Sequence, residues 1–125
     1  TCTTSAFQLL DIFNVFKSLL TLNVDGFKSS IVQTPRYINP RVLKYEFEKE
    51  ILDQIEKTFK LNLTKNSYSS LQTIKKYFVN GSYDVKNYMA FLHYIDKTQK
   101  LFKKNFNDHY TMFKYENGEL HLNET

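Results

Sequence analysis

Apolar positions return every three or four residues along most of this chain, then every second residue near its end. Over residues 5–20, Ala6, Leu9, Leu10, Phe13, Phe16 and Leu20 recur at helical steps, and Phe7, Ile12 and Leu19 widen the apolar face. Only the stripe Gln8, Asp11, Asn14 and Ser18 is left for water, so this helix needs neighbours on two sides. Residues 21–39 break the period with Gly26, Pro35 and several Ser and Thr, and the Ile31-Val32 pair predicts a brief strand near 30–33. A crossover of this length lets the next helix run parallel to the first.

The second helix, about 41–61, is capped by Asn39 with Pro40 at its first position, where a missing N–H is harmless. Leu43, Phe47, Ile51, Ile55 and Phe59 repeat every four residues with Leu52 alongside. Lys49–Asp53, Asp53–Lys57 and Glu56–Lys60 are opposite charges four apart, each such pair being worth about 0.3 kcal/mol. A third helix over 67–79, capped by Asn66 or Ser67, buries Leu71, Ile74 and Phe78 and stops at Asn80-Gly81. A fourth over 84–106 buries Val85, Tyr88, Leu92, Ile95 and Phe102 and exposes His93, Lys97, Lys100 and Lys104.

The tail switches to strand period around Asn117-Gly118, which predicts a hairpin over about 110–123 with Tyr115 opposite Leu120 and Phe113 opposite Leu122. The expected fold is therefore a single mainly α domain over 1–125, a four-helix bundle with a long first crossover and a C-terminal β-hairpin.

Composition supports a packed core: 42% of residues are hydrophobic and 16% aromatic, all Phe and Tyr. So many rings exceed the needs of a core this size, and Tyr45 and Tyr94 are expected at the surface as partner contacts. The net charge of +4 comes mainly from Lys, since Arg36 and Arg41 are the only arginines. Lys without Arg disfavours nucleic acid as a partner. Lys97, Lys100, Lys103 and Lys104 form the densest basic stretch, a candidate contact for an acidic receptor face or a polyanion.

Three Asn-X-Ser/Thr triplets, at Asn62, Asn80 and Asn123, fall at breaks between periodic segments, where a glycan disturbs no core. Cys2 is the only cysteine, so an internal disulfide is impossible and an interchain bond remains open. The chain begins at Thr1, which suggests a processed product or trimmed ectodomain. These features predict a secreted protein, or one on the extracellular side of a membrane, that binds a protein receptor or other surface protein. A homodimer is left open.

Catalytic chemistry is not indicated. Gly26, Gly81 and Gly118 are too far apart for a phosphate loop, and His93, His109 and His121 make no metal-binding helical pair. No catalytic residue, metal ligand or cofactor is expected. Other readings are a host-interaction or structural protein of a parasite or virus and, last, a small enzyme or lipid carrier with an aromatic-walled cavity.

The layout resembles that of the short-chain four-helix cytokines. The resemblance is carried by Thr4-Ser5-Ala6 entering the first helix, by the long crossover with its strand, and by the stretch Ser70-Leu71-Gln72-Thr73-Ile74-Lys75-Lys76-Tyr77-Phe78. It implies an up-up-down-down bundle that binds cell-surface receptors through exposed helix faces. Cys2 and the hairpin depart from that pattern. Leu71-Gln72, Tyr77-Phe78-Val79-Asn80, Tyr83, Tyr88, Phe91, Tyr94 and Ile95 are also similar in order to the abalone egg-coat lysin family of sperm proteins, which implies a fertilisation-type binding role.

Overall fold

The computed structural model describes residues 2–22 and 29–123, without the side chains of Cys2, Thr3 and Ser29. Gly26 and the Glu124-Thr125 end of the last triplet lie outside those residues. The described chain is mainly helical: α1 (Ala6–Leu9), α2 (Ile12–Thr21), α3 (Lys44–Phe59), α4 (Lys65–Val79) and α5 (Val85–Phe102), with strands β1 (Cys2–Thr4), β2 (Ser29–Ile31), β3 (Phe113–Glu116) and β4 (Glu119–Leu122).

The first helix is not continuous over 5–20. Ser5 opens α1 with a capping box, its hydroxyl accepting from the Phe7 N–H and its own N–H donating to Gln8 Oε1 at 2.9 Å. Asp11 then leaves helical geometry, and its carboxylate accepts from Asn14 Nδ2 instead of capping α2. Leu9, Leu10 and Ile12 stay buried on both sides of the break, so the apolar period runs through it unmarked.

The expected strand near 30–33 forms one residue early, and it pairs in parallel with β1, which the sequence did not signal. The second helix starts as a 3-10 turn, Pro40–Leu43, whose Arg41 N–H donates to Asn39 Oδ1 at 2.9 Å as the cap predicts. Leu43, Phe47, Ile51 and Ile55 are buried. The three expected charge pairs along α3 do not close. Glu56 instead meets Lys75 of α4, because exposed side chains gain little from one fixed geometry over water. Thr64, not Asn66 or Ser67, caps α4 by accepting from the Ser67 N–H at 3.1 Å, so that helix starts earlier than expected.

Helix α5 ends at Phe102, short of 106, where Lys103 takes a left-handed conformation (φ 54°) and the chain turns. The buried stripe is Tyr88, Phe91, Leu92 and Ile95. Val85 and Phe102, expected inside, are 45% and 63% exposed. Phe102 lies on the extension of the stripe, but Phe106 fills the core there after the turn.

The hairpin has the expected register, Phe113 opposite Leu122 and Tyr115 opposite Leu120. Asn117 (φ 54°) and Gly118 (φ 77°) supply the two positive φ values the turn needs. Phe113, Tyr115 and Leu120 are buried, and Phe113 meets Phe47 edge-to-face at 5.2 Å.

The stretch from Arg36 to Leu43 is the hub of the packing. Its second turn touches α1, α3, α4 and α5, and its first turn lies on α5. Val42 and Leu43 carry this contact, 3% and 0% exposed. Helix α2 packs on α3, and α3 on α4.

Candidate functional site

The end of α4 leaves carbonyl oxygens with no partner inside the helix and carries the negative end of its dipole. Two cations meet it, Arg41 from the hub and Lys44 from the start of α3. Arg41 Nε donates to the Tyr77 carbonyl at 2.9 Å, and its terminal nitrogen reaches the Asn80 carbonyl at 3.4 Å. Lys44 Nζ donates to the carbonyls of Val79 at 3.0 Å and Gly81 at 2.6 Å. The Arg41 guanidinium also lies 3.6 Å over the Tyr77 ring, whose hydroxyl accepts from Asn39 Nδ2 at 2.7 Å.

Neither Arg41 nor Lys44 has a carboxylate within ion-pair distance among the described residues. Their charge is therefore offset by carbonyl dipoles and, for Arg41, by the Tyr77 ring, although Lys44 is 8% exposed. Beside them opens a polar cleft of about 540 Å³ between the Gln33–Val42 stretch and the α4–α5 connection. Arg36 lines it with Arg41 on one side, and Ser82, Tyr83, Asp84 and Asn87 line the other. Asp84 is held in place as the cap of α5, accepting from the Lys86 N–H at 2.8 Å. The Arg36 guanidinium has no hydrogen-bond or ion-pair partner among the described residues.

Tyr83 connects this cleft to an apolar patch. Its ring lies 5.8 Å from that of Tyr45, which in turn lies 5.1 Å from Tyr88. Tyr45, Tyr83, Val85 and Met89 are 42%, 48%, 45% and 56% exposed. Val85 and Met89, one turn apart on α5, are exposed on one face of the helix that carries Tyr88. Tyr88 itself is buried, donating to Glu46 Oε2 at 3.0 Å. Burial first, and the Glu46 carboxylate second, push its phenol well above the usual range.

The other sequence-predicted positions are scattered. Tyr45 is exposed as expected, whereas Tyr94 is half-buried between the rings of Phe7 and Tyr37, at 5.9 and 5.2 Å. Lys97 and Lys100 are exposed on α5, but Lys100 pairs with Asp96 at 3.0 Å. Lys104 lies beyond the helix end and lines a shallow cleft with Asn105, Asn107 and Gly118. The four lysines therefore do not share one helix face.

Asn62 and Asn80 are exposed at the ends of α4, while Asn123 is half-buried and donates from Nδ2 to the Thr111 carbonyl at 2.8 Å. The Cys2 side chain is outside the described residues. The convergence of Arg36, Arg41, Tyr83 and Asp84 was missed in the sequence. The one available signal was that a Lys-rich chain keeps both of its arginines within six positions of each other.

Among the described residues, no group of three or more His, Cys, Asp or Glu could hold a metal ion. No helix among them is long and apolar enough to cross a membrane. No protein-family model, curated protein or solved structure matches the chain.

Proposed function

We propose that this is a secreted or cell-surface glycoprotein that acts by binding a protein receptor, cytokine-like in construction. In this reading α1 and α2 act as one kinked rod of a four-helix bundle, with α3, α4 and α5 as the others and the hairpin as a cover. The observation that carries it is the exposure of Tyr45 and Tyr83, in ring contact, and of Val85 and Met89, one turn apart on the neighbouring helix α5. Tyrosine and methionine are enriched at protein interfaces, and apolar exposure of this kind marks such surfaces on soluble domains. Exposed Asn62 and Asn80, outside the patch, support a glycan-bearing extracellular chain.

The reading is tested by placing a photo-reactive amino acid at Met89, or at the exposed Asp53 of α3 as control, and irradiating the protein on the surface of cells from its native source. A discrete protein adduct from position 89 that is absent from position 53 is expected. Equal adducts at both positions, or none at position 89, would contradict it.

A further inference from the structure

We infer that the Arg36–Arg41 cleft is a binding site for a carboxylate-bearing sugar, the acidic terminus of a glycan. This goes beyond the protein-binding patch, with which it shares only Tyr83.

The chemistry of the lining selects the ligand. Arg36 is exposed, and its planar guanidinium, without a protein partner among the described residues, matches a carboxylate in two parallel hydrogen bonds. Arg41 stands on the same wall, already oriented by its stack on Tyr77 and its bonds to the α4 carbonyls. Lys44, bonded to the same end of α4, adds a third positive charge with no carboxylate within ion-pair distance among the described residues. The cleft is therefore attractive to an anion before any ligand arrives, and its fixed dipoles need no rearrangement.

Asp84 narrows the choice of anion. It faces the same cleft and can only accept hydrogen bonds, so it disfavours a doubly charged phosphate and requires a ligand with donors of its own. Sugar hydroxyls are such donors. Gln33 and Asn87 present amides, which donate and accept and so suit neighbouring hydroxyl or acetamido groups. Tyr83 offers a half-exposed ring for the apolar face of a pyranose. The volume, about 540 Å³, lies in the range of small-ligand sites and holds one or two sugar rings.

The test is a ¹H–¹⁵N NMR titration of the folded protein with 3′-sialyllactose, an unsulfated hyaluronan tetrasaccharide, lactose, inorganic phosphate and a pentaglutamate peptide. Saturable shifts in the amides of residues 33–41 and 82–87 with either acidic sugar, and not with lactose, are expected. Which of the two binds distinguishes a sialylated from a uronate-bearing glycan. Arg36→Ala should weaken binding about tenfold, the worth of one charge-assisted contact, with Arg36→Lys restoring only part of it. Asn87→Ala, a second variant on the α5 side of the cleft, should weaken binding with the fold intact by circular dichroism. No saturable shift with either acidic sugar overturns the inference. Equal response to phosphate makes the site a general anion trap, and stronger response to pentaglutamate makes it an acidic-peptide site; both results also overturn it.

Discussion

Arg41 occupies the space in which any side chain at Gly81 would begin. A Cβ built on Gly81 falls inside the van der Waals envelope of Arg41 Nε and Cζ. The glycine is needed for this approach, since the guanidinium is held in place by Tyr77 on both its ring and its carbonyl. Gly81→Ala should destabilise the protein by about 1–3 kcal/mol, the usual cost of overpacking a fitted site. Arg41→Ala removes the obstacle, so the double variant should lose less than the sum of the two single losses in chemical denaturation. Strict additivity would show that the contact carries no energy.

Lys44 is expected to matter for its hydrogen bonds more than for any ion pair. Lys44→Met keeps the apolar stem but leaves the carbonyls of Val79 and Gly81 without their donor. A loss of about 1–3 kcal/mol is expected, and it should change little with added salt. A loss that vanishes at high salt would point to long-range charge instead.

Thr64 has two roles that can be separated. It completes the Asn62-Leu63-Thr64 triplet and caps α4. In a host that adds no glycans, Thr64→Ala should cost about 1 kcal/mol as a lost cap, while Asn62→Gln at an exposed turn should be near neutral. Equal effects of the two would remove the capping assignment.

The hairpin is part of the core. Phe113 is fully buried against Phe47, and Phe113→Ala should cost about 3–5 kcal/mol, as deletion of a buried ring does. A change below about 1 kcal/mol, the range of surface substitutions, would make the hairpin a loose appendage.

Alkaline pH should weaken the fold through its buried phenols. Burial and Glu46 raise Tyr88, and burial with a smaller contribution from Asp11 pushes Tyr110 up to about 12. Because the folded values lie above the unfolded value of about 10, the unfolded chain releases these protons first. The stabilisation is fully present below about pH 10 and is lost as pH rises from there toward about 12. Glu46→Gln should bring the Tyr88 ionisation down in an ultraviolet titration, since it removes a negative neighbour and the strongest acceptor. An unchanged titration would mean that the Tyr88–Glu46 bond is not formed in solution.

Much of the fold was legible because it rests on local rules. The cap at Asn39, the stop at Asn80-Gly81 and the hairpin register at Asn117-Gly118 each follow from a few neighbouring residues. Misplaced elements depend on distant ones. The break at Leu10–Asp11 falls inside an apolar period that continues across it, and Phe102 is left outside where Phe106 enters the core. The pairing of β1 with β2 joins residues that no periodicity links. The candidate site was hidden for the same reason. Arg36 and Arg41 were visible as the only arginines, but the α4 end that orients Arg41 lies far along the sequence. Tyr94 looked exposed by spacing until the Tyr37 ring, from the hub, covered it.

The most direct test of the proposed role is the intact mass of the protein recovered from the medium of its native cells, before and after N-glycosidase. Glycan mass that the enzyme removes, leaving aspartate at Asn62 or Asn80, is the expected result. A protein retained inside the cell with the bare polypeptide mass would contradict an extracellular ligand.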